Sequence, residues 1–263
     1  MVRRSLLVVF IGITFTCTAI ENIESKQNAL IKQLIENLVQ KNISVQESVS
    51  SLLQRYPEKV DSVITIALQL YPKQYRQILI GTIQAEPALT APAVANIISH
   101  DRTLCAEVIK IAITTEPAYV NEIILAAVQS SKDPIQDIVR VAVTTEPLIS
   151  NTVLENIKNN QNENLIDILV GVIKAVPERV TSVVDYALSL FPDSGEDIVA
   201  EAVKTSDKEF SRKIVEIAIE AGVDQNTAIT AAINSGADKK YFLDLTSPSD
   251  KNTTVDAKSY IIE

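Results

Sequence analysis

The 263-residue sequence has no tryptophan, one histidine, one methionine and two cysteines, and aromatics make up only 5% of it. Each scarcity removes a class of chemistry. His100 is the sole imidazole, and no serine or cysteine near it forms a nucleophile motif, so a hydrolytic Ser/Cys–His arrangement lacks its parts. Zinc needs several His or Cys ligands in one place, which this inventory cannot supply. Few aromatics leave Ile, Val, Leu and Ala to fill any core. The formal net charge of −9 is opposite to the basic footprint of nucleic-acid binders and argues against anionic lipid headgroups as the main partner.

The first residues read as an export signal. Met1-Val2-Arg3-Arg4 is positively charged, and residues 5–15 form an apolar run shorter than the ~20 residues that span a bilayer. Cys17-Thr18-Ala19 fits a small-x-small cleavage site, so residues 1–19 are expected to be removed after Ala19. An uncleaved membrane anchor is the alternative. Cleavage would leave Cys105 as the one cysteine, which excludes an intramolecular disulfide. No later stretch is long and apolar enough for a membrane span.

What the chain does have is a period. Seven of its ten prolines (Pro57, Pro72, Pro87, Pro117, Pro147, Pro177 and Pro192) fall on one 15-residue grid, whose vacant points are Arg102, Lys132 and Asn162. Counting each grid point as zero, apolar residues recur at plus 3, 6, 7, 10 and 11, one stripe of an α-helix. Examples are Val60, Val63, Ile64, Ala67 and Leu68, or Cys105, Val108, Ile109, Ala112 and Ile113. Proline suits the first helical turn and ends the preceding helix, so one residue is expected to close one helix and open the next. Upstream units start at Gln27 (Leu30, Leu34, Leu38) and Asn42. Downstream the frame slips by one residue to Lys208, and a last unit follows Gly222.

Thr114-Thr115-Glu116-Pro117 recurs as Thr144-Thr145-Glu146-Pro147, so the true repeat is a pair of helices, A and B, spanning 30 residues. The expected fold is all-α: a right-handed α-solenoid of about seven antiparallel helix pairs over residues 20–238, each helix about 11 residues long and about 16 Å at 1.5 Å per residue. Stacking at about 8–10 Å between axes would make an elongated, curved solid roughly 70 Å long. Residues 239–263 are expected to form a flexible polar tail, with Tyr241-Phe242-Leu243 capping the last helix.

These Pro-initiated short helices resemble, in architecture, the tetratricopeptide, HEAT and Sel1-like helical repeats. They resemble most nearly uncharacterised secreted repeat proteins of Gram-negative bacteria, over residues 27–236. The resemblance implies an extended binding surface and transfers no individual functional residue.

Two rows stand out beyond the core. At plus 5 of the B helices lie Gln77, Glu107, Asp137, Asp167 and Asp197, with Lys110 and Arg140 placed to pair with Glu107 and Asp137 along their own helices. Asp167 and Asp197 lack such a partner. With Asp193, Glu196 and Glu201 they form an acidic patch that either is plain solvated surface or takes a basic partner or Ca²⁺, although no EF-hand loop is present. At plus 2 of the A helices lie Leu89, Tyr119 and Ile149, a possible groove lining or ordinary packing between repeats. Asn42-Ile43-Ser44 and Asn252-Thr253-Thr254 match the glycosylation pattern. Cys105 reads as a core residue and His100 as a solvated turn residue.

The reading that follows is an exported, periplasmic or extracellular, non-enzymatic scaffold for a protein or peptide partner. It expects no cofactor, no metal, no nucleic acid and no membrane span after signal removal. A self-associating envelope or matrix spacer is the alternative. An enzyme built on Asp193, Glu196 and Asp197 is a third, remoter one.

Overall fold

In a computed structural model, which describes residues 11–160 and 164–245, the described residues form fourteen α-helices and ten 3-10 turns, with no strand. The grid point Asn162, residues 1–10 and the tail from 246 onward, including the Asn252 glycosylation pattern, lie outside that range. In order the helices are α1 (Ile11–Gln40), α2 (Val45–Leu53), α3 (Val60–Leu70), α4 (Tyr75–Ala85), α5 (Thr90–His100), α6 (Cys105–Thr115) and α7 (Val120–Ser130). They continue as α8 (Ile135–Thr145), α9 (Ser150–Asn160), α10 (Leu165–Ala175), α11 (Val180–Leu190), α12 (Gly195–Thr205), α13 (Ser211–Glu220) and α14 (Gln225–Asn234). The fourteen helical units and the one-residue slip before Lys208 are both as expected. Two compact units divide the chain, one ending at Arg179 and one beginning at Val180.

The junctions refine the role of proline. Proline opens a three-residue 3-10 turn, such as Pro57–Lys59 or Pro87–Leu89, and the α-helix begins only at plus 3. The residue before it makes the switch. Tyr71 N–H donates to Ala67 O at 2.8 Å, closing α3, while Tyr71 O accepts from Gln74 N–H at 2.9 Å, opening the next turn. Glu86, Glu116 and Phe191 carry the same two bonds. Their φ of −129 to −159 keeps them out of the helical region, as a following proline requires. No residue is left over as a linker.

At the vacant point Arg102, Asp101 substitutes for proline: its carboxylate accepts from Thr103 N–H at 3.0 Å and from the Thr103 hydroxyl at 2.6 Å. At Lys132 the 3-10 turn is absent and Pro134 directly precedes α8. A second junction type appears at Asn42-Ile43-Ser44 and Gly222-Val223-Asp224. Asn42 (φ 62) and Gly222 (φ 99) take the left-handed conformation, and Ile43 and Val223 N–H donate five residues back to Leu38 and Ala218 O at 3.2 and 2.9 Å. This is a Schellman ending. Ser44 and Asp224 then cap the next helix through Glu47 and Thr227 N–H.

Within each unit helices pack on sequence neighbours, as α4 does on α5 and α11 on α12, and on the helix two places along, as α4 does on α2 and α13 on α11. In the first unit the A helices α1, α3, α5, α7 and α9 form one layer, and the B helices α2, α4, α6, α8 and α10 form the other. In the second unit α11 and α13 face α12 and α14 in the same way. The plus 3, 6, 7, 10 and 11 positions fill the space between layers, with Val63, Ile64 and Ala67 or Val108, Ile109 and Ala112 nearly inaccessible.

The structure adds a buried position, plus 9, where Ile66, Gly81, Ile111, Ala126 and Gly171 sit. It looks back along the layer to the preceding helix. A Cβ on Gly81 would lie 2.4 Å from Gln46 O of α2, and one on Gly171 would lie 2.7 Å from Gln136 O of α8. These two glycines let α4 pack onto α2 and α10 onto α8, the two most extensive helix pairings among the described residues. The same register is read out by side chains: Gln46 Nε2 donates to Gln84 Oε1 at 2.9 Å, and Lys174 Nζ donates to Gln136 Oε1 at 2.8 Å.

One sequence expectation changes. In α1 the buried residues are Ile31 and Ile35, whereas Leu30 and Leu34 are exposed, so its frame is one residue later than a start at Gln27. The described part of the tail is docked: Lys239–Phe242 forms a 3-10 turn with Phe242 fully buried. Arg212 holds it, donating to both carboxylate oxygens of Asp244 at 2.9 and 2.7 Å and to Tyr241 O at 3.1 Å.

Candidate partner-binding surface

The plus 5 row occupies the third residue of each B helix, where a carboxylate faces the positive end of the helix dipole. That placement accounts for the row without a ligand. Its members differ in setting. Gln77 turns Oε1 inward, where it has no hydrogen-bond partner. Asp137 pairs with Arg140 at 3.4 Å along α8, as expected. Glu107 does not pair with Lys110; it is held by Arg76 of α4, on the neighbouring B helix. Asp167 is exposed.

In the second unit Asp193, Glu196 and Asp197 are exposed around the first turn of α12. Glu201 is not free like them: it accepts from Lys204 at 3.2 Å. Among the described residues no three His, Cys, Asp or Glu side chains are grouped to hold a metal ion.

The plus 2 row belongs to the joints between repeats. Leu89 and Tyr119 are half-buried and Ile149 is buried, each ending a 3-10 turn. At the equivalent positions Lys59 reaches Gln27 of α1 at 2.9 Å and Arg179 reaches Pro147 O at 3.3 Å. At these two joints plus 2 therefore ties an A unit to the one before it. His100 is exposed at the end of α5. Cys105 is buried, and burial together with a hydrogen bond to Asp133 pushes its thiol up to about 11.

One recess in the first unit lies on the flank between α4 and α6. Gly81 draws α4 toward α2, while plus 9 of α6 carries Ile111, which keeps α6 farther from α4. The result is an open groove of about 180 Å³ lined by Ile80, Ile111, Arg76, Glu107, Lys110, Thr114 and Thr115. Ile80 and Ile111 give it an apolar floor. Thr115 Oγ1 bonds back to Ile111 O at 2.7 Å, so its hydroxyl is spoken for. Thr114 and Lys110 are exposed, and neither makes a side-chain hydrogen bond or ion pair among the described residues. Arg140, Thr144 and Thr145 repeat the Lys110, Thr114 and Thr115 pattern one helix along, on α8, with Thr145 Oγ1 again bonded back, to Val141 O at 2.8 Å.

The sequence row at plus 5 pointed to one wall of this groove through Glu107. It missed Arg76 and Ile80, because nothing in the local pattern marks a partner 31 residues away. The 30-residue recurrence of Thr-Thr-Glu-Pro was the available signal. Compared with family models, curated proteins and solved structures, the chain matches none of them.

Proposed function

We propose that the protein is an exported, non-enzymatic helical-repeat scaffold that holds a protein or peptide partner across its B helices. The groove between α4 and α6 carries this reading: an apolar floor flanked by an unengaged lysine and hydroxyl, with Arg140, paired to Asp137, and Thr144 at the equivalent positions of α8. A surface of this kind takes an extended chain through side-chain contacts along successive helices. The charged N-terminal residues and the apolar run after them support export. Among the described residues no helix is long and apolar enough to cross a membrane.

The test is affinity capture from an extract of the producing cell's envelope and medium, using the protein beside its Lys110→Glu and Thr114→Arg variants. The first reverses the free charge and the second fills the groove. A discrete partner retained by the protein and at least tenfold depleted with both variants is the expected result. Equal recovery by all three, or no specific partner, contradicts the reading.

A further inference from the structure

The groove between α4 and α6 has an order along its length. At one end Arg76 of α4 is held by Glu107 of α6. In the middle lie Ile80 and Ile111, with Lys110 on the rim beside them, and Thr114 stands one turn beyond Lys110 on the same wall. Arg76 and Glu107 occupy each other, and the Thr115 hydroxyl is taken by Ile111 O at 2.7 Å. Lys110 and Thr114 are exposed and unengaged among the described residues, so one ammonium and one hydroxyl are left for an occupant.

Those two groups select by charge. The groove sets two cations against one carboxylate, on a chain whose formal net charge is −9. A negative group is therefore favoured here and disfavoured by the acidic balance of the chain as a whole, which fixes where it sits. A phosphoryl group is best matched by a free guanidinium fork, and that of Arg76 is committed to Glu107. A single carboxylate needs no more than one ammonium. The volume of about 180 Å³ lies below the ~300–1,000 Å³ of small-molecule sites. No aromatic ring lines it, so the floor suits one aliphatic side chain of a longer chain.

Resting on the reading that a partner lies across the B helices, we propose that the groove takes a peptide segment in which one acidic residue stands within two positions of an aliphatic one. The aliphatic side chain lies on Ile80 and Ile111, and the carboxylate accepts from Lys110 Nζ. The Thr114 hydroxyl pairs with the segment's backbone. At the equivalent place on α8, Arg140 is already paired with Asp137 at 3.4 Å. The segment thus carries a single acidic anchor at this site and not a ladder of them.

A phage-displayed library of random peptides, panned on the full chain and depleted on its Thr114→Arg variant, tests this. The retained sequences should share an Asp or Glu close to a Leu, Ile or Val. By fluorescence anisotropy, Lys110→Glu should weaken the consensus peptide about tenfold, with an unchanged helical circular dichroism spectrum. Changing the peptide's acid to lysine should restore binding to Lys110→Glu. Groove-dependent peptides without an acidic residue, or equal binding to Lys110→Glu, overturn the proposal and leave the groove as a partner site. Finding no groove-dependent peptide overturns the proposal and the reading beneath it. Binding that appears only once residues 246–263 are removed would give the groove to the chain's own tail. Dimers abolished by Lys110→Glu would give it to a second copy. Either result also overturns the proposal.

Discussion

Asp101 shows how one side chain replaces a proline. Its carboxylate is held below the usual range by the Thr103 hydroxyl and backbone N–H, and those bonds fix the turn that the pyrrolidine ring fixes elsewhere. Its φ of −143 and ψ of 101 already suit a residue that precedes proline. Arg102→Pro should therefore fit the existing 3-10 turn and stabilise the protein by about 0.4–1 kcal/mol, through a less flexible unfolded chain. Urea unfolding midpoints check it, and a destabilised variant would show that the turn at 102 differs from its proline-bearing relatives.

Cys105 gives a pH dependence. Its folded pKa of about 11 lies above the ordinary value of 9.0, so between those values the unfolded chain loses a proton that the folded chain keeps. Stability from this group is whole below pH 9 and declines as pH rises toward 11. Midpoints at about pH 8 and about pH 10 should separate more for the protein than for Cys105→Val, which lacks the thiol. The core position of Cys105 was readable from the stripe; the Asp133 contact was not, since it depends on the irregular loop before α8.

At the scale of the helix, plus 9 sets how closely neighbours in a layer approach. The other core positions were readable because they repeat as the same residue types. Plus 9 was not, because it varies from Ile66 to Gly81 to Asn96 to Ile111, and that variation is what makes the spacing uneven. A Cβ at Gly81 or Gly171 would meet backbone carbonyl oxygen at 2.4 or 2.7 Å. Gly81→Ala and Gly171→Ala should each destabilise by about 1–3 kcal/mol despite the higher helix propensity of alanine. Chemical denaturation measures this, and a stabilised variant would mean the helices separate at no cost. The frame of α1 was misplaced by one residue for a related reason. Leu30, Leu34 and Leu38 fit the stripe as well as Ile31 and Ile35 do, and no proline or cap inside α1 fixes the count.

For the molecule as a whole, the unit that repeats is the helix pair. Deleting residues 87–116 joins Glu86 to Pro117 and returns the chain to the same A–B order, so the shortened protein should fold with less stability. Deleting only 87–101 sets a B helix where an A helix belongs and should abolish cooperative unfolding. Thermal melts of the two, followed by circular dichroism, distinguish a pair repeat from a single-helix repeat. Both the pairing and the helix count were readable in the proline grid. The groove was not, because it arises from a glycine in one pair and an isoleucine in the next.

The central claim is that the B-helix groove is where a partner sits. A photoreactive residue placed at Thr114, in the groove, and separately at Glu122, on the exposed surface of α7, tests it in the producing cell. The account predicts one discrete cross-linked species from position 114 and none from 122. No cross-link at 114, or the same species from both positions, would contradict it.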